Sequence, residues 1–172
     1  FLGQLDWIIS KLFLLREFGV YHSFGAEDFI QTRVGSNQLH SASQLFKNIY
    51  PGLKSKRDIE LIELDGVLLG DLIYDTYLKE NKIPTIDISD DRFKAMLLRA
   101  LCLYVYWIDY FKEHDVRAVS VSHCVYLLAI PMRIAVNQAV PAFQITPVHV
   151  YRLNPKKLFA YSDFTGFQDK FR

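Results

Sequence analysis

The stretch from Asp115 to Pro147, DVRAVSVSHCVYLLAIPMRIAVNQAVPAFQITP, constrains the fold more than any other part of the chain. Arg117 to Ser122 is short, rich in β-branched residues and bounded by polar ones, the pattern of a buried strand. A polar cluster, Ser120-Val121-Ser122-His123, leads into an apolar segment with helical spacing at Leu127, Ile130, Ile134 and Ala135. Val140 to Thr146 is a second apolar run, closed by Pro147. Strand, helix and strand joined by short connections make a βαβ unit, which predicts two adjacent parallel strands. Ligands of open α/β sheets collect beyond the carboxyl ends of the strands. That edge would carry Ser122, His123 and Tyr126 after one strand, and Thr146 and His149 after the next.

The rest of the chain is read around that unit. Leu5 to Phe18 carries a helical apolar stripe stopped by Gly19, and a short strand near Val20 follows. Ser41 to Tyr50 predicts a second helix ended by Pro51-Gly52. Ile59 to Leu64 alternates, and Asp65-Gly66 before Val67-Leu68-Leu69 is a strong hairpin signal. From Gly70 the spacing turns helical through Leu78, with Asp71 as cap or first-turn acid. Ser89 or Asp90 caps a long helix from Asp91 to His114, whose stripe runs through Phe93, Leu97, Leu101, Tyr104, Ile108 and Phe111. Val148 to Leu153 reads as a last strand before the Asn154-Pro155 turn. Together these elements predict a three-layer α/β, Rossmann-like domain with a mostly parallel central sheet, spanning residues 1–172 as one domain.

Composition removes several classes of function. A net charge of +1 gives no electrostatic case for nucleic acid. No run approaches the roughly 20 apolar residues of a membrane span. Two cysteines without close spacing, Cys102 and Cys124, form neither a zinc signature nor a disulfide framework, so no metal and a cytoplasmic location are expected. The chain opens at Phe1 without a methionine, which suggests a fragment of a longer protein. Phosphate-loop, dinucleotide, nucleophile-elbow and zinc-protease motifs are all missing. Thirteen Phe and ten Tyr suit a thick core or a groove for a sugar-like ligand.

Three groups can carry chemistry. In Gly70-Asp71-Leu72-Ile73-Tyr74-Asp75, Gly70 lets backbone approach a ligand closely, and Asp71 and Asp75 share a helix face. These acids can hold sugar hydroxyls or serve as a base; the alternative is a cap and a solvated acid. In the second group, His123 at a strand end can shuttle a proton, with Ser122 and Tyr126 beside it. Arg133, two turns on, either pairs an anion or packs its stem on the sheet. The third, Thr146-Pro147-Val148-His149, is a weaker signal. The basic cluster from Lys54 to Arg57 is a solvated loop or a contact for phosphate or anionic lipid.

The run Gly66-Val-Leu-Leu-Gly-Asp-Leu-Ile-Tyr-Asp-Thr-Tyr-Leu78, with Ser122-His123-x-x-Tyr126 and Arg133-x-Ala135, resembles bacterial surface-polysaccharide biosynthesis proteins. These are glycosyltransferases of capsule and O-antigen clusters with two Rossmann-like domains (GT-B). The resemblance covers roughly Asp58 to Leu153. It implies the N-terminal, acceptor-side half of such an enzyme, meeting a glycan acceptor. The nucleotide-sugar donor would be bound by a second half that does not follow Arg172. No tightly bound cofactor is implied, and peripheral association with the inner face of the membrane is a further expectation. On this reading His123 or Asp71 is the catalytic base, Tyr126 orients sugar and Arg133 sits near phosphate. Gly70, Tyr74, Asp75 and Ser122 complete the substrate site. Two other readings remain open: a non-catalytic Rossmann-like binding module, and a structural domain whose aromatics pack on another subunit.

Overall fold

The computed structural model describes residues 34–121, 123–145 and 150–158. The chain divides into two units, Phe1–Gly35 and Ser36–Arg172, and the architecture below belongs to the second. The expected helix at Leu5 to Phe18 and strand near Val20 lie outside the described residues. So do Ser122 and the Thr146 to His149 group.

Helix α1 (Ser36–Ile49) begins five residues before the expected Ser41 and ends in a 3-10 turn at Tyr50–Gly52. The short helix α2 (Lys56–Glu60) follows. Its start is fixed by a capping box: Ser55 Oγ accepts from the Asp58 amide, while the Asp58 carboxylate accepts from the amides of Lys54 and Ser55. That cap draws Ile59 into a helix and leaves only Glu63–Leu64 of the expected strand, here β1. β1 pairs antiparallel with β2 (Val67–Leu68) through a two-residue turn. Both turn residues have positive φ, 49° at Asp65 and 81° at Gly66, as a primed hairpin turn requires.

Helix α3 (Gly70–Asn81) starts at once after the hairpin. Helix α4 (Asp91–Glu113) is capped by Asp90, whose carboxylate accepts from the Arg92 amide. With 23 residues α4 is about 35 Å long, the longest described element. Phe93, Leu97, Leu101 and Tyr104 of its predicted stripe are buried, joined by Met96 and Ala100 one position to the side. Ile108 and Phe111, at its far end, are half-buried. α1 and α3 pack against α4, and Tyr77 of α3 meets Phe93 edge-on at 5.7 Å.

β3 (Val119–Val121) pairs in parallel with β4 (Ala142–Ile145), connected by a 3-10 turn at Leu127–Ala129 and helix α5 (Ile130–Asn137). β5 (Val150–Leu153) returns antiparallel beside β4, giving a mixed sheet in the order β3-β4-β5.

The architecture therefore differs from a three-layer Rossmann-like domain with a mostly parallel sheet. Among the described residues it is rich in helix, with one small mixed sheet and a separate two-stranded hairpin. Two physical causes account for the difference. The link from β4 to β5 is far shorter than the dozen or so residues that a parallel crossover needs, so β5 must turn back. The Asp65-Gly66 turn closes β1 onto β2, so the hairpin satisfies itself and does not join the main sheet. The βαβ unit survives as a single crossover.

Candidate functional site

Asp71 and His123, expected in one substrate site, follow β2 and β3, and these strands lie in different sheets, so no common sheet edge brings the two residues together. The two segments nonetheless meet, through side chains of α3, α5 and the turn between β3 and α5.

Arg133 carries the first contact. Its side chain is 1% exposed, and its guanidinium grips Asp71 with both terminal nitrogens, Nη1 to Oδ1 at 3.2 Å and Nη2 to Oδ2 at 2.6 Å. Nη1 also donates to the Leu68 carbonyl at 3.0 Å, tying the hairpin into the pair. A bidentate arginine–carboxylate pair is directional as well as strong. Here it faces inward, and both Asp71 oxygens are engaged.

Thr76 carries the second contact. Its hydroxyl donates to the Leu72 carbonyl at 2.6 Å and accepts from the Leu127 amide at 3.0 Å. The first amide of the 3-10 turn is thereby satisfied by a side chain of α3. Leu72, Tyr74 and Thr76 are buried, and Gly70 is buried where α3 passes α2.

Gly70 permits close approach, though to backbone and not to a ligand. A Cβ there would lie 1.9 Å from the Ile59 carbonyl oxygen and 2.6 Å from Glu60 carbon. The Leu69 and Gly70 amides both donate to the Ile62 carbonyl, at 2.9 and 3.0 Å, so α2 and the start of α3 are held face to face.

Tyr126 makes the third contact. Its backbone sits at φ 60°, ψ −177°, a region almost reserved for glycine and costing about 1–3 kcal/mol. The Lys79 ammonium lies 4.0 Å above its ring, and its carbonyl accepts from the Ala129 amide at 3.0 Å. Such strain persists only where neighbours over-determine the backbone. Just before it, His123 is exposed, and Cys124, fully buried, donates to Gln144 Oε1 on β4 at 3.1 Å.

Asp75 lies one turn beyond Asp71 on α3. Burial, then the negative charges of Asp71 and Glu60, raise its pKa above the ordinary carboxylate value, against the opposing charge of Lys56. Lys56 also sits 4.7 Å over the Tyr74 ring and bridges to Glu60 at 3.4 Å. Sequence reasoning did not single out Thr76 or Lys79. Their positions, five and eight residues after Asp71, identify the face that receives Leu127 and Tyr126 only once the turn after β3 is placed.

The structure thus brings together Asp71 with Arg133, Lys79 with Tyr126, and Tyr74 and Asp75 with Lys56. His123 lies on the loop preceding Tyr126, and Ser122 is outside the described residues. Among the described residues, no three His, Cys, Asp or Glu side chains are grouped to hold a metal. No helix among them is long and apolar enough to cross a membrane. No protein-family model, curated protein or solved structure matches this chain.

Proposed function

We propose that this chain is the acceptor-side part of a glycosyltransferase of bacterial surface-polysaccharide assembly. The reaction moves a sugar from a nucleotide-activated donor to a glycan acceptor. One observation carries the reading. The sequence stretches that resemble this enzyme class, Gly66 to Leu78, Ser122-His123-x-x-Tyr126 and Arg133-x-Ala135, are distant in the chain, yet Arg133 pairs with Asp71, and Leu127, next to Tyr126, is held by Thr76. Lys79 on Tyr126 extends that junction by one more turn of α3.

In this reading Asp71 and Arg133 are positioning residues, since each takes up the other. The exposed imidazole of His123 is the base that takes the proton from the acceptor hydroxyl. Tyr126, held in strained backbone, presents its ring to the sugar, and Asp75 binds or protonates an oxygen at the neighbouring position.

The test uses the full-length protein with a panel of UDP-, GDP-, dTDP- and CMP-sugars and lipid-linked or free oligosaccharide acceptors. The expected product is the acceptor heavier by one sugar residue in mass spectrometry. His123→Ala should lower turnover roughly a hundredfold, the scale of losing a positioned base, with its melting temperature unchanged because the side chain is exposed. Absence of transfer across the panel, or normal turnover of His123→Ala, rules the assignment out.

A further inference from the structure

A cleft of about 730 Å³ runs between the α1–α2 connection and the segment linking α3 to α4. Its walls include Tyr50, Lys54, Lys56, Thr85, Asp87 and Ser89, and it is open to solvent. Of these residues only Lys56 belongs also to the candidate site, where its ammonium covers the ring of Tyr74.

The chemistry of the walls selects a ligand class. Lys54 makes no ion pair among the described residues, and Lys56 is shared between Glu60, at 3.4 Å in an exposed pair, and the Tyr74 ring, 4.7 Å from its ammonium. The amides of Lys54 and Ser55 are already taken by Asp58 at 2.9 and 2.7 Å, so the positive charge offered to a ligand comes from side chains alone. Across the cleft the carboxylate of Asp87 is turned onto the Ser89 amide and hydroxyl at 2.9 and 2.6 Å. Those bonds hold its pKa below the usual carboxylate value, so it stays charged and sets a limit on how much anion the cleft tolerates. Tyr50 is locked in place by stacking on Phe46 at 5.0 Å and by its hydroxyl bond to the Ile88 carbonyl at 3.0 Å. A fixed aromatic wall, the hydroxyl residues Ser55, Thr85 and Ser89, and two lysines suit a ring that is part apolar, rich in hydroxyls and anionic. The volume falls within the ordinary range of ligand sites, about 300–1,000 Å³.

We propose that this cleft binds an acidic sugar unit, with its carboxylate or phosphate against Lys54 and Lys56 and its ring against Tyr50. This deepens the proposed function by making the acceptor an anionic glycan, and it rests on that reading only in calling the ligand an acceptor. Binding is measured without transfer, so failure of the transferase assay leaves this experiment independent.

The 172-residue chain is titrated with glucuronate, glucose 6-phosphate, glucose and inorganic phosphate by heteronuclear NMR, assigning the Tyr50, Thr85 and Ser89 amides. The expected result is that glucuronate or glucose 6-phosphate shifts these amides and binds about tenfold more tightly than either glucose or inorganic phosphate. Preference for glucuronate assigns a uronic-acid unit, and preference for the phosphate ester assigns a sugar phosphate. Lys54→Glu, an exposed change that leaves the fold intact, should weaken binding about tenfold or more. Asp87→Asn should strengthen it if the turn at Ser89 is kept. Raising the salt to 1 M, where the screening length is about 3 Å, should weaken binding severalfold. Equal binding of glucose, equal binding of inorganic phosphate, or an unchanged affinity in a folded Lys54→Glu variant would overturn the proposal.

Discussion

The Asp71–Arg133 pair has unequal ends, and the inequality is testable. Arg133 is buried at 1% exposure whereas Asp71 retains 24%. Asp71→Ala leaves a buried guanidinium without its carboxylate and should cost about 3 kcal/mol in urea unfolding. Arg133→Met keeps much of the apolar stem and leaves an aspartate that water can reach, so its cost should be smaller. A larger loss in Arg133→Met than in Asp71→Ala would show that packing of the stem, not the charge pair, dominates. Gly70 poses a simpler case. The Cβ of Gly70→Ala would strike the carbonyl of Ile59, a backbone atom that cannot rotate away. Overpacking of this kind costs about 1–3 kcal/mol, and the backbone contact puts the expectation at the upper end, read as a lower denaturation midpoint.

Elements end and turn here by devices that differ in how openly the sequence shows them. The hairpin is open: Asp65-Gly66 supplies both positive φ values, and Tyr104 OH donates to Asp65 Oδ2 at 3.0 Å, anchoring the tip on α4. Asn137 of α5 adds a bond to the Asp65 carbonyl at 3.3 Å. Two-residue strands are marginal alone, so these tertiary bonds keep the hairpin in place. Gly66→Val should lower stability by about 1 kcal/mol or more, since φ is 81° there. The end of α5 is hidden. The Ala139 amide donates to Val136 and the Val140 amide to Ala135, a Schellman ending in which Ala139, at φ 59°, stands where glycine is usual. Ala139→Gly should therefore stabilise the protein by up to about 1 kcal/mol, seen as a raised melting temperature; a drop would mean that the Ala139 methyl contributes packing.

For the whole molecule, opposed carboxylates shape the response to pH. Asp90 is held well below the ordinary 3.8 by its bonds to Arg92 and Tyr77, Asp58 by the Lys54 amide and Ser55, and Asp87 by Ser89. Depressed values mean that the unfolded chain binds more protons. Their stabilisation is thus full above the unfolded value near 4 and is lost as pH falls through the folded values. Asp75 works in the other direction: its raised value makes the folded chain bind more protons, so it subtracts stability at neutral pH and ceases to do so in acid. Asp90→Ser keeps a helix cap without the charge and should flatten the loss of stability below pH 4. Asp75→Asn should raise the melting temperature slightly at pH 7 and leave it unchanged near pH 3. Equal shifts at both pH values would show that Asp75 acts through packing alone.

Local physics settled much of this protein in the sequence itself. The turn at Asp65-Gly66, the start of α3 at Gly70, the cap of α4 and the parallel neighbours β3 and β4 all depend on residues within one element or one crossover. Their signals are φ preference, apolar period and connection length, which act over a few residues. The sequence reading missed the sheet as a whole, because a strand's partner is a long-range choice. Val150 to Leu153 reads as a strand whichever way it runs, and only the short return from β4 makes it antiparallel. Gly70 shows the same division within a single residue: its type announces a close approach, while the carbonyl of Ile59 that requires it belongs to another element. The candidate site divides likewise. Asp71, Tyr126 and Arg133 stood out by type and spacing, but that Asp71 meets Arg133 and Tyr126 meets Lys79 was decided by packing α5 and its entry turn onto α3. A guanidinium and a carboxylate 62 positions apart have no local signal to announce them, and only burial makes their pairing obligatory.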